Sequence, residues 1–148
     1  MVRNPWLVVG GALSAAAALL HLAIIAGGPD WYRFFGAGER MARMAERGSP
    51  SPPLFALAIA AVLGIWAAYA FAGAGLIRRL PLMRTALVLI AAVYLLRGLV
   101  LIPALALHGR GVSAFTIWSS LIVLVYGIFY AAGTRRAWPA LSEGKSNA

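Results

Sequence analysis

The run Leu82–Leu107, LMRTALVLIAAVYLLRGLVLIPALAL, decides the fold because its 26 residues contain only two charges. A helix needs about 20 apolar residues to cross the ~30 Å hydrocarbon core of a membrane. Inside lipid, only helices and closed barrels satisfy every backbone N–H and C=O group. The run also lacks the alternation of polar and apolar residues that a barrel strand has. It therefore predicts a transmembrane helix with an arginine, Arg97, near its middle.

Three further apolar runs are of similar length, and the four predicted spans cover about residues 6–26, 54–77, 82–107 and 113–133. Of the 148 residues, 62% are hydrophobic and only 11% are charged, whereas soluble domains carry about 25% charge. No polar stretch is long enough to build a second core. The first run is too long for the apolar region of a signal peptide, which predicts an uncleaved anchor. The chain is thus predicted to be an all-α integral membrane protein, a four-helix transmembrane bundle that forms a single domain over residues 1–148.

The longest connection, between the first two spans, predicts an extra amphipathic helix over about residues 30–48. Asp30 suits an N-cap, and Gly48 suits the position that ends a helix. Two interpretations stay open. In the first, the helix lies on the outer surface with its arginines towards lipid phosphates. In the second, the glycines at 36 and 38 form a flexible break, so that the segment folds into the bundle as a lid and carries Glu39 inward. The apolar positions at helical spacing are Trp31, Phe34, Phe35, Met41, Ala42 and Ala45.

The distribution of Lys and Arg outside the spans and at their ends predicts the orientation, because cytoplasmic loops carry an excess of both. The side that holds the two termini has seven, and the opposite side has five. This predicts that both termini are cytoplasmic. The expected location is a bacterial inner membrane. The net charge of +9 is scattered along the span boundaries, which favours contact with anionic lipids over nucleic acid. The seven are Arg3, Arg78, Arg79, Arg84, Arg135, Arg136 and Lys145, and the five are Arg33, Arg40, Arg43, Arg47 and Arg110.

Arg97 is the residue that points to function. It lies about three residues past the centre of its predicted span, ~4 Å from the midplane at ~1.5 Å per residue. An arginine at that depth costs about 2.5 to 3.5 kcal/mol, and a buried carboxylate is its usual partner. All four acidic residues of the chain lie outside the spans. Four solutions stay open: hydroxyls and carbonyls of neighbouring helices, a carboxylate from the outer segment, a water-filled cavity, or an anionic or carbonyl-bearing ligand.

Aromatic residues near the same depth predict a ligand site around Arg97. Tyr94 lies one turn away on the same helix, and Trp66 of the second span is placed to stack on the guanidinium. With polar residues expected at the outer rim, the pattern predicts a cavity with aromatic walls and a cation at its base. This cavity opens outward or sideways into the outer leaflet. The predicted ligand-binding residues are Arg97, Trp66, Tyr69, Tyr94, Glu39, His21 and His108.

The sequence contains few residues that could bind a cofactor. The chain has no cysteine, which excludes disulfides, thiol catalysis and Cys-based metal sites. A b-type haem held by His21 and His108 is the one cofactor option, and otherwise no cofactor is expected. No metal site is predicted, because no third ligand accompanies the two histidines at a recognisable spacing. No catalytic motif such as GxSxG, HExxH or a P-loop is present.

The leading functional expectation is a small membrane protein that binds or transports an amphipathic, lipid-like molecule, with Glu39 and His21 as gate or proton-linked rim. Its expected partners are membrane lipids and a hydrophobic or amphipathic small molecule, with a homodimer or a larger membrane complex left open. One alternative is a lipid- or isoprenoid-modifying enzyme that uses the same polar residues. The other is an accessory subunit that packs against another membrane protein through small-residue stripes. The stripes are Gly10, Ser14 and Ala18, and Ala60, Gly64 and Ala68.

Overall fold

The structure is a computed structural model that describes residues 4–108 and 111–143, with the backbone alone for His108 and Glu143. The described residues are mostly helical and contain no strand. Four helical stretches are long and apolar enough to cross a membrane, as the sequence predicts. The helices in chain order are α1 Pro5–Gly27, α2 Pro29–Phe34, α3 Glu39–Glu46, α4 Ser51–Gly73, α5 Met83–Leu99, α6 Leu101–His108 and α7 Ala114–Glu143.

Several helix ends differ from the predicted ones. α4 begins at Ser51 because prolines at 52 and 53 fall in its first turn, where no intrahelical N–H donor is needed. α7 continues through Pro139 to Glu143, ten residues past the predicted end at 133. The third span is divided at Val100, between α5 and α6. Pro103 has no N–H for the carbonyl of Leu99, which weakens the helix at this point.

The chain forms two compact units, and the division falls within α1 and within α4. The first unit comprises residues up to Leu13 together with those from Trp66 onward. The second unit is Ser14–Ile65. The predicted single domain stays a prediction.

Glycines bring α5 and α7 of the first unit into close contact. A Cβ atom added at Gly98 would lie 2.7 Å from the Cβ of Leu124 and 2.8 Å from its Cα. A Cβ atom at Gly127 would lie 2.8 Å from a methyl of Leu95. Small residues that let two backbones approach are typical of helix packing in membranes. The start of α1 joins this unit in the same way, because Leu7 fills the space beside Gly133.

In the second unit, residues 29–46 form two short helices instead of the single predicted one. Gly36 and Gly38 separate them, with φ of 74° and 90°, in the left-handed region that glycine adopts readily. Gly48, with φ of 70°, follows the end of α3 as predicted. Asp30 lies inside α2, so the predicted N-cap is wrong and Gly28 has that position. The two helices pack on α1 and α4 through a core of Ile24, Tyr32, Ala42 and Ala56.

Candidate functional site

Arg97 lies near the end of α5, and its side chain reaches α7. Its Nη1 donates a hydrogen bond to Ser120 Oγ at 3.0 Å, and its Nη2 donates one to Ser119 Oγ at 3.4 Å. Ser120 is fully buried, whereas Arg97 is exposed on the surface of the helix pair. The two serines are adjacent in α7, so one side of the guanidinium is fixed against that helix.

Both partners of Arg97 are neutral. Among the described residues, no carboxylate lies within 4 Å of its guanidinium, and the ion pairs present belong to Arg33 and Arg43. A guanidinium has five N–H donors, of which these two bonds engage two. The hydroxyl partners are one of the four solutions expected from the sequence, but they leave the positive charge uncompensated. The exposed side of Arg97 therefore retains capacity for an anion or a carbonyl group.

An aromatic cluster centres on Tyr94, next to the Arg97 position on α5. The Tyr94 ring packs edge-on against Trp66 with the centroids 4.8 Å apart, and it also contacts Tyr126 at 5.5 Å and Tyr130 at 5.3 Å. Tyr130 donates a hydrogen bond to the carbonyl of Trp66 at 3.0 Å. Tyr94 is only 5% exposed, so it belongs to the packed interior of the unit and is not the wall of an open cavity.

Two of the expected contacts with Arg97 differ in the structure. No cation–π contact between Trp66 and Arg97 is present among the described residues, because the Trp66 ring packs on Tyr94. Tyr69 donates to the carbonyl of Pro81 at 3.2 Å, which places it at the beginning of α5. The rise of ~1.5 Å per residue separates that end of the helix from Arg97 by more than ~20 Å. Tyr69 is therefore not part of the Arg97 site.

Glu39 belongs to an ion-pair cluster within the second unit. Its carboxylate accepts hydrogen bonds from Arg33 at 2.9 Å and from Arg43 at 3.0 Å. These bonds, first that from Arg33, lower the pKa of Glu39 from 4.5 to about 2. Arg33 also pairs with Asp30 at 3.0 Å and with Glu46. Glu39 is therefore ionised at neutral pH and links α2 to α3, which is a poor state for a proton donor or acceptor.

The two histidines were predicted at the outer rim. His21 lies in the second unit, partly exposed, with its Nδ1 2.8 Å from the carbonyl of Ala17. Because a carbonyl only accepts, Nδ1 is the donor in this contact. The His108 side chain lies outside the described residues. Within the described parts of the chain, no three His, Cys, Asp or Glu residues form a metal-binding group. The haem option stays a prediction.

Neither Arg97 nor Trp66 nor Tyr94 lines any of the four best-formed cavities among the described residues. One cavity of about 630 Å³ is lined by Arg79, Arg84 and Trp138, among others. From the sequence, these basic residues predict the orientation of the chain and contact with anionic lipids, but not a cavity. The sequence signal that could have identified this cavity is the short spacing between Trp138 and the adjacent Arg135 and Arg136. It places an aromatic ring among several cations at one end of the spans.

Comparisons of the chain with protein-family models, with curated proteins and with solved structures give no match.

Proposed function

We propose that the chain is a four-helix transmembrane bundle of a bacterial inner membrane, with both termini in the cytoplasm and α2 and α3 on the outer side. The four long apolar helices support this proposal. The excess of Lys and Arg on the side of the termini supports the orientation.

The chain has no cysteine, so a single cysteine introduced in a loop is the only thiol that a maleimide can label. The orientation is therefore simple to test. Ser49→Cys, before α4, is expected to react with a membrane-impermeant maleimide in intact cells. Pro81→Cys, before α5, is expected to react only after the cells are opened. The reverse pattern would invert the orientation.

Within this topology, we propose that Arg97 binds the anionic or carbonyl-bearing head of an amphipathic, lipid-like molecule. The observation that carries the proposal is the exposed guanidinium held on one side by two neutral hydroxyls. Arg97 is two residues past the middle of the span Met83–Leu107, ~3 Å along the helix axis. At this depth water is scarce, and an uncompensated charge is costly. An anionic head group would supply the missing charge and further acceptors.

The geometry favours binding from the side of the bundle. Arg97 is exposed on the α5 surface, whereas the Tyr94 ring fills the interior beside it. A ligand would therefore lie in the outer leaflet with its head at Arg97 and its chain along the helix surface. Binding is the form of the function that these contacts support, and transport through the bundle would require Tyr94 and its aromatic neighbours to separate.

A binding measurement with defined probes tests the proposal. The full chain in phosphatidylcholine nanodiscs would be titrated with dibrominated oleate and with the matching dibrominated alcohol, using the quenching of tryptophan fluorescence. Hydrogen bonds to a charged group contribute about 1.5 to 3 kcal/mol, so oleate should bind about 10- to 100-fold more tightly than the alcohol. An anion can also bind in the cavity lined by Arg79 and Arg84. The comparison is therefore made in a variant with Arg79→Gln and Arg84→Gln, in which Arg97→Leu should abolish the remaining preference. Arg47→Leu, which removes an exposed arginine of the α3 end, should preserve it. Equal affinities for both probes in the wild type would overturn the proposal.

One observation favours the accessory-subunit alternative. Gly64 is exposed on α4, and a Cβ atom added there would meet nothing within 4 Å. An uncovered glycine in an apolar helix permits close approach of a second helix. The other stripe is less suited, because Gly10, Ser14 and Ala18 are buried within the chain. Gly64→Leu should then release a co-purifying partner protein, whereas an unchanged set of co-purifying proteins would exclude this interface.

A further inference from the structure

A basic cavity lies beside the last turns of α7, in the first unit. It has a volume of about 630 Å³, and among the residues whose side chains the structure describes, no acidic one lines it. The Arg84 guanidinium lies 4.1 Å from the centre of the Trp138 ring. Arg79 donates one hydrogen bond, to the carbonyl of Ala140 at 2.9 Å. Both guanidinium groups are thus held in place while most of their N–H donors lack an acceptor among the described residues.

A second basic cavity adjoins the first and increases the positive charge there. Its volume is about 590 Å³, and it shares Arg79 and Leu141 with the first cavity. Arg78 and Arg136 contribute to its lining. Four arginines therefore line the two adjoining cavities, and such a cluster attracts a phosphate group strongly.

An apolar groove leads away from the basic cavity along α5 and α7. It has a volume of about 640 Å³ and shares Val88 and Trp138 with the basic cavity. Its walls include Ala91 and Leu95 from α5, and Arg135 of α7 is its one charged lining residue among those described. Thr134 also lines the groove, one turn of α7 or ~6 Å from Trp138. Its side chain is 5% exposed, and its hydroxyl has no hydrogen-bond partner among the described residues.

We propose that this end of the molecule binds one anionic phospholipid at a site separate from Arg97. The phosphate lies between Arg79 and Arg84, an ester carbonyl accepts a hydrogen bond from Thr134, and an acyl chain follows the groove past Ala91 and Leu95. Along the helices, the phosphate meets the arginines first, the ester carbonyl then meets the hydroxyl donor, and the acyl chain meets apolar side chains last. A buried hydroxyl without a partner is costly, and an ester carbonyl is the acceptor that a lipid brings to that depth.

The arrangement favours a lipid over a soluble phosphate compound. A free phosphate would engage the arginines, but it would leave the Thr134 hydroxyl and the groove unfilled. Basic pockets between membrane helices are typical sites for anionic lipid head groups. The Trp138 ring at the junction of cavity and groove is of the amphipathic type that occupies the boundary between water and hydrocarbon.

The test uses native mass spectrometry of the full chain, delipidated in a neutral detergent and titrated with phosphatidylglycerol or phosphatidylcholine of the same chains. Phosphatidylglycerol should bind the wild type more tightly. The variant with Arg79→Gln and Arg84→Gln should lose about fivefold in affinity per arginine. Arg40→Gln with Arg47→Gln removes the same charge from the second unit and should change nothing. Glycerol phosphate is added as a competitor to test for a soluble ligand.

Thr134→Val is a second variant that retains both arginines. It should weaken phosphatidylglycerol binding by about two- to tenfold, as expected for one hydrogen bond. Without lipid, it should be at least as stable as the wild type, because it removes an unsatisfied hydroxyl. Equal binding of the two lipids, wild-type binding by the double arginine variant, or full competition by glycerol phosphate would each overturn the phospholipid site. Wild-type affinity in Thr134→Val would overturn the assignment of the ester carbonyl.

Discussion

Gly98→Ala tests the close packing of α5 on α7, which fixes the position of Arg97 relative to its serine partners. The new Cβ atom would lie 2.7 Å from the Cβ of Leu124 and 2.9 Å from its backbone nitrogen. An ordinary contact begins at 3.4 Å, and 3.4 minus 2.7 leaves 0.7 Å to be relieved. Because the obstacle includes backbone, the helices themselves must separate.

The expected cost follows from that displacement. A gap of about 0.5 to 1 Å forfeits a quarter to a half of each dispersion contact, and overpacking of this kind costs about 1 to 3 kcal/mol. Alanine also favours a helix over glycine by about 1 kcal/mol. Gly64→Ala is the matched control, since it has the same propensity gain and meets nothing within 4 Å. The difference in unfolding free energy between the two variants therefore isolates the packing term.

Unfolding in mixtures of SDS and mild detergent, followed by circular dichroism, measures both variants. Gly98→Ala should be about 1 to 3 kcal/mol less stable than Gly64→Ala. If the two differ by less than about 0.5 kcal/mol, the usual range of surface substitutions, the close contact of α5 with α7 is refuted.

Three further predictions concern other parts of the chain. Pairing with Arg33 lowers the pKa of Glu39 from 4.5 to about 2. The stability that Glu39 contributes to the α2 and α3 segment is therefore complete above pH 4.5 and is lost as the pH falls towards 2. Amide protection factors of this segment that stay constant over that window would contradict this. Asn4→Ala should lower the unfolding free energy by about 0.5 to 2 kcal/mol, because Asn4 caps α1 and donates a hydrogen bond to α7. The same SDS unfolding measures this change. Tyr130→Phe should cost about 0.5 to 1.5 kcal/mol through the lost hydrogen bond to Trp66, and an unchanged unfolding free energy would show that this bond contributes nothing.

The four long helices were predictable because hydrophobicity summed over about 20 residues reports the preference of a whole segment for lipid. The ends of the helices were less predictable from the sequence, because contacts between residues far apart in the chain extend or divide the helices. α7 passes Pro139 where Arg84 stacks on Trp138 and Arg79 bonds to Ala140. The division of the outer segment into α2 and α3 was foreseen only as one alternative, at the glycines whose backbone has positive φ.

The candidate site was predictable in part. Arg97 stood out because a charge in an apolar span needs a partner, and hydroxyls of a neighbouring helix were among the expected solutions. The contact predicted for Trp66 was with Arg97, whereas its ring packs on Tyr94, and Tyr69 lies at the beginning of α5. Depth estimated from sequence ignores the register between helices, which side-chain packing sets. The basic cavity at Arg79 was missed because its lining comes from separate parts of the chain.

The most direct test of the central claim is the identity of what co-purifies with the protein. Wild type, Arg97→Leu and Ser119→Ala would be purified in mild detergent, verified as folded by circular dichroism, and extracted for mass spectrometry of small molecules. We expect one anionic or carbonyl-bearing amphipathic molecule that is present with wild type and Ser119→Ala, because both retain the guanidinium, and is lost from Arg97→Leu. Phospholipid bound at Arg79 and Arg84 should remain with all three proteins. If the wild type and Arg97→Leu yield the same molecules in the same amounts, Arg97 is satisfied by Ser119 and Ser120 alone and is not a ligand site.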